Sequence, residues 1–207
     1  MAICCVNWWK GLYLHNMDNF NASEINSNWA LFLDRDGVIN RRISGGYVCD
    51  WEEFEFQHGV LDAMAMLNSR FLRIFVVSNQ QGIGKGLMTE SDLAHIHDRM
   101  YESVRESGGR IDAIYYCPAL AQEDTFRRKP GPGMALQAKN EFPEISFSRS
   151  IMVGDSASDM EFGYRLGMKT IWIENEENGD PPAEMTSAVF PSLFHFALSI
   201  LAGSHNA

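Results

Sequence analysis

The chain has 207 residues, room for one domain with a sizeable core but hardly for two full domains. Hydrophobic residues make up 45% and charged residues 21%, which excludes disordered and collagen-like classes. Seventeen Lys and Arg against 27 Asp and Glu give a net charge of −10, which argues against nucleic acid or an anionic membrane surface as partner but leaves open a phosphate ligand in a locally cationic pocket.

Met1 to Leu14 is apolar but broken by Asn7 and Lys10. It is too short to span a bilayer, and it lacks the charged start and small-residue cleavage site of a signal peptide. Asn16 to Asn28 is rich in Asn and Ser and reads as a linker. Residues 1–28 are therefore expected to form a poorly ordered extension, 29–202 the folded domain and 203–207 a tail. Ala30 to Leu33 is a short continuous apolar run, the pattern of a strand buried on both faces. After it come Gly45-Gly46 and an alternating Phe54-Glu55-Phe56, which predict a small hairpin flap. Helical spacing runs from Val60 to Ser69, a second strand from Arg73 to Val77, and a long helix from Thr89 to Ser107. Thr89 is placed to cap that helix, with Asp92 three residues on. A third strand is predicted over Ile111 to Tyr116, a helix over Met134 to Asn140, and a fourth strand over Ser150 to Val153. Then follow a helix Ser158 to Leu166 closed by Gly167, a strand Thr170 to Ile173, a turn-rich acidic loop Asn175 to Pro182, a short strand at Val189-Phe190 and a last helix Ser192 to Leu201.

Strands alternating with helices predict an α/β fold with a mostly parallel sheet covered on both faces. Such sheets bind ligands at the carboxyl ends of their strands. Asp34 and Asp36, Ser78 and Asn79, the Cys117 to Lys129 loop, and Asp155 all fall at such ends. Asp34-x-Asp36-Gly37 is good turn chemistry by itself. With Asp155, and Asp159 one helical turn later, the same carboxylates form a candidate oxygen-ligand site for Mg²⁺. Asp155 and Asp159 also fit as acids at a helix start. Lys129 stands before Pro130-Gly131-Pro132-Gly133 and a helix N-terminus, a combination that can hold an anion, or it belongs to a solvated basic run with Arg127 and Arg128. Ser78 and Asn79 can donate to phosphate oxygens or close a turn. The glycine-rich Gln81 to Gly86 does not match a P-loop. As a set, these groups suit phosphoryl transfer, in which a carboxylate can attack phosphorus and a second carboxylic acid can serve the leaving oxygen.

Asp34-Arg35-Asp36-Gly37-Val38-Ile39-Asn40, Ser78-Asn79-Gln80, Arg128-Lys129-Pro130, and Val153-Gly154-Asp155 with Asp159 resemble, in order, the four motifs of haloacid dehalogenase (HAD) superfamily phosphatases. Gly46-Tyr47-Val48, Phe54-Glu55-Phe56, Tyr115-Tyr116-Cys117-Pro118 and Arg128-Lys129-Pro130-x-Pro132-Gly133-Met134 are similar to the branch of D-glycero-D-manno-heptose 1,7-bisphosphate phosphatases and histidinol-phosphate phosphatases. The resemblance covers about Leu31 to Ile173 and implies a three-layer, Rossmann-like HAD fold with a flap and no large cap. It implies Asp34 as nucleophile and Mg²⁺ ligand, and Asp36 as general acid/base whose backbone carbonyl binds the metal. Asp155 is implied as a further metal ligand, supported by Asp159. Ser78, Asn79 and Lys129 are implied at the phosphoryl group, with Arg128, Gly46 and Tyr47 toward the substrate. The activity implied is Mg²⁺-dependent hydrolysis of a small phosphate ester through an aspartyl-phosphate. The substrate expected is a sugar phosphate of the heptose bisphosphate type, with histidinol phosphate as the alternative.

Two departures stand out. The branch carries Cys-Pro-His and then Cys-x-Cys before Arg-Lys-Pro, binding a structural zinc. Here Ala119 follows Pro118 and Thr125-Phe126-Arg127 replaces Cys-x-Cys, so no structural zinc is expected. Ser156 stands after Asp155 where the heptose enzymes often carry Lys. The four cysteines show no repeated spacing, which favours a reducing cytoplasm over a disulfide scaffold. A monomer is expected, with no nucleic-acid or membrane partner. A non-hydrolytic phospho-acceptor or binding module on a similar sheet is the alternative of another class, disfavoured because the third strand ends in Tyr115-Tyr116-Cys117.

Overall fold

A computed structural model of the chain describes residues 20–123, 126–175 and 178–203. The central strand, β1 (Ala30–Leu33), is buried along its whole length. It pairs in parallel with β2 (Arg73–Asn79) on one side and β4 (Ser150–Gly154) on the other. β3 (Ala113–Cys117) extends the sheet beyond β2, and β5 (Lys169–Ile173) and β6 (Ala188–Phe190) extend it beyond β4. The six strands are all parallel, in the order β3-β2-β1-β4-β5-β6.

The continuous apolar runs follow from that placement. Side chains alternate between the faces of a strand, and here both faces are covered. Leu31, Leu33, Val76 and Val153 pack with α1 (Val60–Asn68), α3 (Glu90–Glu106) and α6 (Leu193–Gly203). Phe32, Phe75, Val77 and Met152 face the other way, against α4 (Gly133–Glu141) and α5 (Ala157–Arg165). The result is a three-layer α/β fold. A short helix, α2 (Gln81–Gly84), follows β2 in the glycine-rich segment where the sequence pattern announces no helix. Thr89 caps α3 in a capping box with Asp92, and Gly167 leaves α5 at φ +72.

Two segments depart from the sequence-based expectation. The flap is a long loop whose two arms meet in a single antiparallel bridge at its base, without the regular strands of an extended hairpin. Its described residues show one antiparallel bridge, Asn40 to Phe56, and neighbouring main-chain bonds such as Arg41 N to Glu55 O at 2.7 Å. Trp51, Phe54 and Phe56 fold onto one another, with Trp51 and Phe54 stacked at 4.9 Å. This cluster takes the apolar surface that a strand pair would have presented on one face. The second departure concerns residues 20–28, grouped with the extension on the sequence. Phe20 and Ile25 are buried, and Phe20 meets Phe190 and Phe196 at 6.1 Å. Burying one such ring stabilises by about 2 kcal/mol, enough to dock a polar stretch otherwise read as linker. The remainder of the expected extension, residues 1–19 with Trp8 and Trp9, lies outside the described residues, as do Thr125 and residues 204–207.

Candidate active site

β1 and β4 end side by side. Leu33 is in register with Val153, and Asp34 N donates to Val153 O at 2.9 Å. This seam puts Asp34 next to Asp155, although 121 positions apart in numbering. Carboxylate oxygens of Asp34, Asp155 and Asp159 lie within 4.8 Å of one another, and all three residues are buried. The turn after β1 is shaped to permit it. Gly37 adopts φ +100, and a Cβ there would lie 2.0 Å from Asp155 Oδ2. On the β4 side of the seam, a Cβ on Gly154 would lie 2.2 Å from Asp159 Cβ.

Lys129 is the positive centre. Its Nζ is 2.7 Å from Asp34 Oδ1, 2.6 Å from Asp159 Oδ1 and 2.7 Å from Val77 O. Burial opposes the charged amine, but Asp159 and Asp34 outweigh it and raise the Lys129 pKa. Burial pushes the Asp34 carboxyl up to about 8 despite Lys129, with Asp159, Asp155 and Asp36 adding to the rise. Asp155 is pushed to about 6 by burial and by Asp159. Three buried carboxylates this close together have the donor set that suits a further cation.

Asp36 has a different environment. Its Oδ1 accepts from Arg35 Nη2 at 2.8 Å and Asn40 Nδ2 at 3.0 Å, and its Oδ2 accepts from Gln80 Nε2 at 2.8 Å. Burial would raise its pKa, but the Arg35 charge and these hydrogen bonds hold it below the ordinary value. Arg35 is itself fully buried, with Nη1 3.5 Å from His97 Nε2.

The sequence-predicted residues Asp34, Asp36, Gly46, Tyr47, Ser78, Asn79, Arg128, Lys129, Asp155 and Asp159 all line one cavity of about 150 Å³. Their local partners differ. Ser78 Oγ accepts from Gln80 Nε2 at 2.7 Å. The Asn79 amide is paired with the Lys129 main chain, at 3.1 Å to its O and 3.0 Å from its N, so it anchors the lysine segment. Arg128 Nη1 donates to Ala119 O at 2.8 Å. Tyr47 OH accepts from Gln81 Nε2 at 2.7 Å and Lys85 Nζ at 2.8 Å. Asp159 Oδ2 accepts from Ser156 N at 3.1 Å and Ser156 Oγ at 2.6 Å, which fixes the first turn of α5.

Three residues escaped the sequence reading. Arg42 comes from the flap, and Asn175 and Asn178 come from the loop after β5. All three donate to Asp155 Oδ2, at 3.4, 3.0 and 2.9 Å. The only sequence signal was the position of that loop at a strand end on the same rim.

The family model described as HAD-hydrolase-like matches residues 126–193. A Mycobacterium tuberculosis protein named D-glycero-alpha-D-manno-heptose-1,7-bisphosphate 7-phosphatase is 36% identical over 180 residues, covering 86% of this chain and 95% of that protein. One of the same name from Campylobacter jejuni is 41% identical over 148 residues, covering 72% and 83%. Among solved structures, the D,D-heptose 1,7-bisphosphate phosphatase from B. bronchiseptica, complexed with magnesium and phosphate, superposes with a TM-score of 0.75 at 27% identity, covering 84% of this chain and 98% of that one. With four motifs converging on one rim and relatives matched over most of their length, the chain belongs to the HAD superfamily of hydrolases, in its branch of phosphatases.

Proposed function

We propose that this phosphatase is Mg²⁺-dependent, that it works through an aspartyl-phosphate on Asp34, and that its substrate is a sugar phosphate of the D-glycero-D-manno-heptose 1,7-bisphosphate type. The observation that carries the reading is Asp34 at the mouth of the β1–β4 seam, paired with Lys129 at 2.7 Å. The relatives' names support the substrate class. Asp155 Oδ1 is buried with no hydrogen-bond partner, and it belongs to a cluster of three carboxylates. That donor set fits a hard divalent cation held by Asp34 and Asp155, with the Asp36 carbonyl as a third ligand. When bound, Mg²⁺ supplies charge neutralisation of the phosphoryl oxygens.

The chain's own groups account for the steps. An Asp34 oxygen attacks phosphorus, and the P–O bond to the sugar breaks. Lys129, together with Ser78 and main-chain N–H groups at the end of β2, balances charge on the transferring group. The leaving oxygen takes its proton from Asp36. Asp36 then takes a proton from water, whose oxygen attacks the Asp34 phosphoryl and releases phosphate. Arg35, Asn40 and Gln80 hold the Asp36 carboxyl below its ordinary pKa, which suits the second role; for the first, Asp36 takes up a proton from solvent water before the P–O bond breaks and passes it to the leaving oxygen. Arg128, Gly46 and Tyr47 line the same cavity and are assigned to the sugar. The enzyme is read as a monomer acting in the cytoplasm; no helix among the described residues is long and apolar enough to cross a membrane.

A phosphate-release screen with Mg²⁺ over heptose bisphosphate, sugar monophosphates and histidinol phosphate tests the assignment. Many turnovers on the heptose bisphosphate, well above the others, are expected. Preference for histidinol phosphate would move the chain to the other arm of its branch, and a single stoichiometric phosphorylation that persists would make it a phospho-acceptor.

A further inference from the structure

The two oxygens of Asp155 have opposite surroundings. Oδ1 is buried and has no hydrogen-bond partner. Oδ2 receives Asn175 Nδ2 at 3.0 Å, Asn178 Nδ2 at 2.9 Å and Arg42 Nη1 at 3.4 Å. Asn178 does more than touch the carboxylate, because its Nδ2 also donates to the Asp155 main-chain O at 2.6 Å. One amide thus bridges the backbone and side chain of the same residue. The bridge fixes how the carboxylate is turned, with Oδ2 held by the loop and Oδ1 left without a hydrogen-bond partner. Asn178 is neutral, so it orients the ligand without competing with a cation.

Arg42 acts on the same oxygen with a full positive charge. Its contacts are long, 3.4 Å to Asp155 and 3.4 Å to Asn178 Oδ1, and its side chain is 42% exposed. In the cation-free protein it offsets part of the repulsion among the clustered acids. Once a divalent ion is present, the same charge opposes it.

We propose that Asn178 and Arg42 tune the cation affinity of Asp155 in opposite senses, Asn178 as a positioning residue that raises it and Arg42 as a flap counter-charge that lowers it. The proposal rests on Asp155 being a metal ligand. By reciprocity, cation binding weakens the hold of Asp155 on Arg42 and so loosens the flap over the site.

The test is calorimetric titration of the full chain with MgCl₂, without substrate, comparing wild type, Asn178→Ala, Arg42→Gln and Asp155→Asn. Asn178→Ala should bind about tenfold more weakly, the range for loss of a partner that orients a metal ligand. Arg42→Gln should bind about fivefold more tightly, a partly exposed charge being well screened. In chelator, Arg42→Gln should melt below wild type, and Mg²⁺ should raise its melting temperature by more than it raises that of wild type. If Asn178→Ala fails to fold, Asn175→Ala and Asn178→Ser take its place. Equal affinities in all but Asp155→Asn, or shifts of the same sign in both variants, would overturn the opposed roles while leaving the metal site intact. A wild type that does not bind Mg²⁺, or an Asp155→Asn that binds as wild type does, would overturn the metal assignment and the opposed roles with it.

Discussion

Lys129 reaches Asp34 across 95 residues of sequence, its Nζ 2.7 Å from Oδ1 with both side chains buried. The same amine holds Asp159 at 2.6 Å. One cation therefore ties the end of β1 to the first turn of α5. Lys129→Met should lower phosphate release by about 10²–10³-fold, the usual effect of deleting one preorganised charge from a transition state. It should also destabilise the metal-free protein by about 3 kcal/mol, because two buried carboxylates lose their partner. Steady-state kinetics and urea unfolding in chelator check the two effects separately. A lysine that only braced the fold would give the second effect without the first.

Asp34 and Asp36 should fail differently. Asp34→Asn loses the attacking oxygen, so turnover should fall by roughly 10⁴-fold or more. Asp36→Asn keeps the nucleophile but cannot exchange a proton, so the rate should drop about 10²–10⁴-fold. The phosphorylated enzyme should then accumulate. Intact-protein mass spectrometry after mixing with substrate should find a phosphoryl adduct in Asp36→Asn and none in Asp34→Asn. An adduct in Asp34→Asn would remove the nucleophile assignment.

Gly37→Ala changes no charge and no hydrogen-bonding group. Its new methyl would fall 2.0 Å from Asp155 Oδ2, at a backbone φ of +100. The strained turn should cost about 1–3 kcal/mol, and Asp155 must move from its place beside Asp34. Half-saturation of activity by Mg²⁺ should rise about tenfold or more. Unaltered magnesium dependence would mean that the turn does not set the carboxylate's position.

His97 provides a stability signal away from the carboxylate cluster. Burial, and then the Arg35 charge, lower its pKa from 6.5 to about 3. The folded protein keeps His97 neutral, whereas the unfolded chain takes up a proton below 6.5. The stabilisation linked to this group is therefore complete above about pH 6.5 and is lost as pH falls toward 3, at up to about 1.4 kcal/mol per pH unit. Between pH 7 and pH 5 wild type should lose about 2 kcal/mol more than His97→Gln, measured by urea unfolding. Parallel losses in the two proteins would place His97 in a more solvated setting than this one.

The sheet was legible because its strands are short apolar runs ending in polar residues, and both signals are local. Every predicted strand of the parallel sheet is present, with ends shifted by at most two residues; β2 runs on through Ser78 and Asn79. The rim was legible because strand ends of a parallel sheet share one edge. The flap was not, since the alternation of Phe54 and Phe56 also fits an aromatic cluster folded on itself. Arg42, Asn175 and Asn178 were not legible either. Each meets Asp155 through the closing of a loop, and no spacing in sequence encodes where a loop comes to rest. Phe20 was missed because its partners, Phe190 and Phe196, are at the far end of the chain.

The pairing of β1 with β4 has a consequence for the order in which the molecule matures. Asp34 is synthesised directly after β1, whereas Asp155 and Asp159 leave the ribosome only after β4, the fourth of the six strands described. A nascent chain that stops short of β4 carries Asp34 without the two acids that complete its carboxylate cluster. The cluster is therefore assembled late, with the zipping of the central seam, and on the proposed function a divalent cation would stabilise only chains that have closed it.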